Sequence, residues 1–190
     1  MSRAVRKLVK AGDVRGLAAI VSDPASRDRA SALQGILDFL GEHRDGILEA
    51  RQSILNACVP LIRALDPQIR ANAMSLATVL RDPSAPAAVV AALSDPSSNV
   101  RVRALFGVFH LQPFGCLDDV LRLLADEDTN VRALAAAAVE RVGDRSTVAT
   151  LVGARTAEKD DWVRGRIDEV VDILEGRRPP TPIEPFMEEG

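Results

Sequence analysis

The chain has 190 residues, of which 47% are hydrophobic and 27% charged, and its formal net charge is −3. This length fits one domain or one short repeat array, and so much apolar surface excludes a globally disordered chain. The small negative charge argues against a general nucleic-acid-binding protein.

The first sixteen residues are basic, with five Arg or Lys against one Asp, and their pattern predicts an amphipathic helix. Val5, Leu8 and Val9 fall on one side of this helix. We expect the helix to cap the first unit of a repeat array, because terminal repeats need a polar outer face. The alternative is that its basic side binds an acidic surface or RNA.

Two observations bear on the compartment. Cys58 and Cys116 are far apart and have no CxxC spacing, which favours buried thiols in a reducing environment. The basic N-terminal stretch lacks the apolar run of a signal peptide, and no segment approaches the roughly 18 apolar residues of a membrane span. We therefore predict a cytoplasmic protein that does not enter a membrane.

A Val-Arg or Ile-Arg dipeptide recurs along the chain. Four of its later occurrences are spaced 31, 31 and 32 residues apart: Ile69-Arg70, Val100-Arg101, Val131-Arg132 and Val163-Arg164. Acidic residues precede each copy, and a small or apolar residue follows three positions after each Arg. A degenerate earlier copy surrounds Arg29. A fixed period of this length indicates stacked structural units.

The spacing within each copy predicts a helix. In the third copy the apolar positions form one stripe at a period of 3.6: Val131, Ala135, Ala138, Val139 and Val142. Asp or Asp-Pro just before the stripe suits a helix start. Gly35, Gly107 and Ala138 share one repeat position, where we expect close helix packing. A second apolar helix precedes each of these, at about 13–22, 46–65, 85–93, 116–125 and 146–154. The fold class is therefore all-α.

The pattern Asp-Pro-x-x-x-Val-Arg-x-x-Ala at the start of the second helix resembles HEAT repeats, especially the short class of the phycobilin lyases. The resemblance covers 66–174 well and 13–65 loosely. It implies a right-handed α-solenoid of about five antiparallel helix pairs over residues 1–175, followed by a flexible, Pro-rich tail at 176–190. It also implies that the repeated Asp and Arg form a ladder between adjacent turns. HEAT arrays mostly act as scaffolds.

In a curved HEAT array the second helices line the concave side, so their positions outside the stripe face the groove. The predicted partner-binding residues are Arg103, Phe106, Phe109, His110, Leu134, Arg141 and Arg166. An apolar centre flanked by arginines resembles a protein-binding hot spot. The alternative is that the two Phe rings fill space between helices. In an earlier repeat, Asn72, Ser75 and Thr78 are also expected to face the groove.

Catalytic motifs are absent from the sequence: it has no GxGxxG, P-loop, GxSxG or HExxH. We therefore predict no catalytic residue. His43 and His110 lack a convergent acidic pair, so we expect neither a metal nor another cofactor. Trp162 follows Asp160 and Asp161, which would repel phosphate and argue against nucleic acid as a partner. We expect Trp162 to pack at the end of the array.

The stretch after residue 176 contains four prolines between positions 179 and 185, which exclude a continuing helix. Ile183, Phe186 and Met187 either pack on the last repeat or form a motif for a second protein.

The sequence thus predicts a non-catalytic scaffold or complex subunit that binds a helix or an extended peptide on the concave face. Two alternatives stay open. One is an enzyme-associated role of the phycobilin-lyase type, and the other is nucleic-acid binding through the N-terminal helix.

Overall fold

The computed structural model describes residues 1–40 and 44–182, apart from the side chain of residue 44. These residues form twelve α-helices and no β-strand. They divide into two compact units, Met1–Ala85 and a second unit that begins at Pro86. The predicted array boundary at residue 175 stays a prediction. No helix among the described residues is long and apolar enough to cross a membrane.

The first unit contains six helices and a short 3-10 turn at Val59–Arg63 that leads towards the last of them. The helices are α1 (Arg3–Ala11), α2 (Val14–Ser22), α3 (Arg29–Asp38), α4 (Arg44–Glu49), α5 (Arg51–Cys58) and α6 (Pro67–Val79). Helix α2 packs on α3, and α5 packs on α6, so each forms a helix pair. The helix predicted at 46–65 is therefore divided into α4, α5 and the 3-10 turn.

Helix α1 lies with its apolar side against the core of the first unit. Val5 is completely buried, and Leu8 and Val9 are partly buried against the same core. Arg6 and Lys7 are exposed. The helix ends at Gly12, whose φ of 64° is the left-handed conformation that glycine adopts most easily.

Close helix packing occurs at Gly35, as its repeat position predicts. A Cβ atom at Gly35 would lie 3.0 Å from Cγ2 of Val9 and 3.4 Å from Cδ1 of Leu17. The absence of a side chain therefore lets α1 and α2 approach α3 closely.

The groove positions predicted in α6 are wrong, because their side chains are buried. Asn72, Ser75 and Thr78 are 0%, 4% and 3% exposed. The amide of Asn72 donates to the carbonyl of Ala30 in α3 at 3.4 Å, and the Ser75 hydroxyl donates to Ala71 within its own helix at 2.9 Å. These partners make the burial of Asn72 and Ser75 possible, whereas the buried hydroxyl of Thr78 has no partner among the described residues.

The second unit comprises six further helices, and the boundary between the units falls at the start of the first. They are α7 (Ala85–Ala92), α8 (Ser98–Leu111), α9 (Leu117–Arg122), α10 (Thr129–Val142), α11 (Val148–Ala157) and α12 (Asp161–Leu174). Helix α10 packs against both α8 and α12. The predicted stripe is confirmed: four of its five residues are buried, and Val142 is partly buried.

Aspartates begin three of the second helices. The Asp66 carboxylate accepts hydrogen bonds from two backbone N–H groups of the first turn of α6, at 2.7 and 3.1 Å. Asp128 does the same for α10, and Asp160 for α12. Such caps each contribute about 1 kcal/mol to helix stability. The predicted Asp start is thus confirmed for these three helices but not for α8, which begins after Ser97 without a side-chain cap.

The predicted ladder is confirmed at Arg101. Its Nη1 donates to the carbonyls of Asp95 and Pro96, in the turn before its own helix, at 3.0 and 3.2 Å. Its Nη2 lies 2.7 Å from Oδ1 of Asp126, in the turn before α10, and both side chains are at least nine-tenths buried. One guanidinium therefore joins two consecutive turns.

Arg132 repeats this arrangement one unit further along. Its Nη1 donates to the carbonyls of Asp126 and Glu127, and its Nε lies 2.6 Å from Oε2 of Glu158. The hydrogen bond from Arg132 lowers the pKa of Glu158 to about 2, against an ordinary value of 4.5. The repeated Arg and its acidic partner thus serve the repeat itself.

Both cysteines are buried free thiols, as the sequence predicts. Burial raises the pKa of Cys58 to about 12, and the nearby Asp82 carboxylate adds to the effect. A thiol with so high a pKa is protonated at neutral pH and is therefore a poor nucleophile.

Candidate functional site

The seven predicted site residues lie on three helices that pack in order within the second unit. Helix α8 carries four of them, α10 carries Leu134 and Arg141, and α12 carries Arg166. All seven are partly buried, so none belongs to the fully buried core and none is fully exposed. We call the surface formed by these seven positions the second-helix surface.

The aromatic part of the surface is a cluster on α8 that extends to α10. The ring centroids of Phe106 and His110 are 4.3 Å apart, and His110 meets Phe109 edge-on at 5.4 Å. The guanidinium carbon of Arg141 lies 4.2 Å from the centroid of Phe109. A cation–π contact of this kind contributes about 0.5–2 kcal/mol. It connects the side chain of Arg141 to the neighbouring helix.

An open cleft of about 360 Å³ lies between α10 and α12. It is lined by Ala133, Leu134, Asp161, Trp162, Gly165, Arg166 and Glu169. Trp162 is 58% exposed here, so the expectation that it packs at the end of the array is wrong. Trp and Arg are among the residue types most enriched in binding hot spots. The structure thus adds Trp162 to the candidate residues.

Glu169 is one of the two acidic residues that line this cleft. Nη1 of Arg166 lies 2.8 Å from its Oε2, and this hydrogen bond lowers the pKa of Glu169. Nη1 of Arg178, which follows α12, lies 3.4 Å from its other oxygen. Both oxygens of this carboxylate therefore already have an arginine partner.

Residues 177–182, which we call the proline-rich segment, contact the second-helix surface. Thr181 donates its backbone N–H to Oε1 of Glu140 at 2.7 Å and its hydroxyl to Oε2 at 2.9 Å. Arg141 donates to the carbonyl of Thr181. The side chains of Glu140 and Arg141 are only 1% and 10% exposed. The sequence-based site omits Glu140 and Thr181. Ile183, Phe186 and Met187 lie outside the described residues.

Two arginines of the surface carry unsatisfied donors. The Nε atoms of Arg103 and Arg141 are buried and have no hydrogen-bond partner among the described residues. A buried donor without a partner carries a desolvation penalty of about 1–3 kcal/mol. A ligand carbonyl that reached either N–H group would recover that free energy.

A second cleft, of about 740 Å³, lies on the first helices α9 and α11. Small and aliphatic side chains such as Leu121, Leu124 and Ala154 line it, together with the Arg132–Glu158 pair. This arginine and this glutamate are already bonded to each other. In residues 1–40 and 44–182, no three His, Cys, Asp or Glu side chains are placed to hold a metal ion.

Helix pairs that repeat every 31 or 32 residues, with one apolar stripe and one Arg ladder, define an α-solenoid repeat protein. The family model for HEAT repeats matches residues 86–171, which confirms the sequence resemblance. No curated protein matches the chain.

Solved structures support the same fold. The chain is similar to a designed armadillo repeat protein in complex with the peptide (KR)4, with a TM-score of 0.70 and 17% identity. It is also similar to computationally designed armadillo repeat proteins for modular peptide recognition, with a TM-score of 0.69 and 17% identity. In both cases the similarity covers 90% of this chain and 85% of the other. At this identity the comparison establishes the α-solenoid fold, which is typical of interaction scaffolds and typically non-catalytic.

Proposed function

We propose that this protein is a non-catalytic interaction scaffold and that its second-helix surface binds an extended peptide segment of a partner protein. The observation that carries the proposal is the binding of Thr181. Glu140 accepts its backbone N–H, and Arg141 donates to its backbone carbonyl. Two adjacent side chains of α10 can therefore bind both main-chain groups of an extended chain, which is how a peptide is held irrespective of most of its side chains.

Three further features support the proposal. The cleft beside Leu134 and Trp162 offers an apolar contact next to the carboxylate of Glu169. The Nε donors of Arg103 and Arg141 have no hydrogen-bond partner among the described residues, so a peptide carbonyl that reached them would satisfy them. The similar designed proteins are described as peptide-binding, which is compatible with this use of the fold. The resemblance to HEAT arrays also supports the proposal, because it predicts that the second helices line a groove.

The test is affinity capture from the source cells at low salt with the immobilised full-length chain, followed by mass spectrometry. We expect wild type to retain a stoichiometric protein and Leu134→Asp to lose it. The matched control is Val152→Asp on α11, where the residue is 47% exposed and outside the surface. Far-UV circular dichroism checks that both variants fold, and Trp162→Ala provides a second disruption of the cleft. Equal retention by wild type, Leu134→Asp and Trp162→Ala would overturn the proposal.

A further inference from the structure

The composition of the proline-rich segment explains why one residue dominates its contact with α10. Pro179, Pro180 and Pro182 have no backbone N–H, so Thr181 provides the only one between positions 179 and 182. Glu140 accepts that N–H and the threonine hydroxyl, and Arg141 donates to the carbonyl. All three polar groups of Thr181 are therefore bound by two adjacent residues.

Burial distinguishes this contact from ordinary surface pairing. The carboxylate of Glu140 is almost fully shielded from water, whereas the pair between Arg178 and Glu169 has side chains that are 52% and 43% exposed. An exposed ion pair contributes little to binding, while a buried hydrogen bond to a charged group contributes substantially. The selective element of the segment is thus Thr181, and Arg178 is secondary.

The flanking prolines prepare the segment for binding. Proline fixes its own φ, and a residue that precedes proline is restricted to extended conformations. Pro179 and Thr181 both precede a proline, so the chain around Thr181 is extended before it docks. Little conformational entropy is lost on binding such a segment, which favours affinity.

We propose that the second-helix surface recognises an extended segment in which a threonine lies between two prolines, and that residues 177–182 of this chain are its resident ligand. The inference rests on the proposed function and names the class of peptide that the surface takes. A partner segment with the same Pro-Thr-Pro chemistry must displace the resident one. Its apparent affinity is reduced by the fraction of molecules in which the surface is occupied.

Two substitutions at Thr181, made in the full-length chain, test the role of the resident segment without altering the surface. Thr181→Pro removes the N–H and the hydroxyl together but keeps the segment extended, so it should vacate the surface and leave Glu140 and Arg141 intact. Thr181→Ser keeps every donor and acceptor and serves as the matched control. The probe is a fluorescent synthetic peptide with the sequence of residues 176–184, and its binding is measured by fluorescence anisotropy.

We expect the peptide to bind Thr181→Pro at least tenfold more tightly than it binds wild type or Thr181→Ser. Adding Glu140→Gln to Thr181→Pro should weaken binding at least tenfold, whereas adding Asp118→Asn, at an exposed position of α9, should not. Equal binding to wild type and Thr181→Pro would overturn the inference. So would the absence of binding to Thr181→Pro, or binding that is insensitive to Glu140→Gln.

A second measurement needs no added peptide and tests only the contact between the proline-rich segment and α10 of the same molecule. Trypsin cleaves after Arg177, which is held against Asp172 when the segment is docked. Cleavage there, followed by intact mass, should be several-fold faster in Thr181→Pro than in wild type, and unchanged rates would contradict docking. If Leu134→Asp abolishes capture of the partner but the peptide does not bind Thr181→Pro, the inference about the peptide class is wrong and the proposed function stands. The proposed function fails if capture is independent of Leu134 and Trp162.

Discussion

Arg132 and Glu158 form a two-pronged ion pair between consecutive repeats. Nε of the arginine lies 2.6 Å from one carboxylate oxygen of Glu158, and Nη2 lies 3.1 Å from the other. The Glu158 side chain is only 5% exposed. Paired charges with this geometry and burial are the strong class of protein hydrogen bond.

The pair makes the stability of the protein sensitive to acid. Because the folded pKa of Glu158 is about 2 and its ordinary value is 4.5, the ionised group stabilises the fold above about pH 4.5. This contribution is lost as the pH falls towards 2. We expect Glu158→Gln to lower the free energy of unfolding at pH 7 by about 2 kcal/mol, with the difference from wild type shrinking below pH 4.5. Urea unfolding at several pH values measures it.

Glu127→Gln is the matched control for this prediction. Glu127 lies 3.7 Å from Arg101, but its side chain is 88% exposed, so its loss should change stability little at any pH. A difference between Glu158→Gln and wild type that is independent of pH would show that the Glu158 carboxylate does not act through its charge.

Burial at the apolar stripe should dominate stability. Val131 is 0% exposed, so Val131→Asp places an unpaired charge in the core and should lower the free energy of unfolding by about 4 kcal/mol. Val152→Asp, at a position that is 47% exposed, should stay within about 0.5 kcal/mol of wild type. Thermal unfolding followed by circular dichroism compares the two. Equal losses would mean that the stripe is assigned to the wrong face.

Close packing at Gly35 predicts the effect of one methyl group. In Gly35→Ala the new Cβ would lie 3.0 Å from a methyl carbon of Val9, so we expect a loss of about 1 kcal/mol despite the better helix propensity of Ala. Gly46→Ala meets nothing within 4 Å and should be neutral or stabilising. Urea unfolding measures both. A gain in stability for Gly35→Ala would show that α1 can shift to accommodate the added methyl group at little cost.

Trp162 is the only tryptophan, so its fluorescence reports on one place in the protein. It is 58% exposed in the cleft beside Leu134, and acrylamide should therefore quench it strongly. Saturation with a peptide ligand should reduce the quenching and shift the emission to shorter wavelength as water leaves the ring. Unchanged emission in a saturated complex would place the ligand outside the cleft.

Much of the fold could be predicted because the relevant signals are local and repeated. The apolar stripe recurs every 31 or 32 residues and marks the buried faces, and capping aspartates mark the starts of α6, α10 and α12. The break between α4 and α5 was not predicted, since the apolar pattern continues through it. The prediction that polar residues of α6 face the groove was also wrong. Asn72 and Ser75 are residue types that are usually exposed, but internal hydrogen bonds make their burial possible.

The candidate site was less predictable because it depends on a part of the chain outside the repeat. Periodicity places Phe109 and Arg141 on neighbouring helices, and the structure brings them into contact. Periodicity cannot predict that Thr181 returns to α10, because no second copy of that segment exists for comparison. The one available signal was chemical: Thr181 is the single hydrogen-bond donor within a run of prolines.

The ladder also bears on how such a chain can grow. Arg101 reaches forward to Asp126, and Arg132 reaches forward to Glu158, so each unit supplies a donor to its successor and an acceptor to its predecessor. A duplicated unit of about 31 residues would thus contain both an arginine donor for the next unit and an acidic acceptor for the preceding one. Gene duplication within this segment can lengthen the protein without leaving a buried charge unpaired at either new junction.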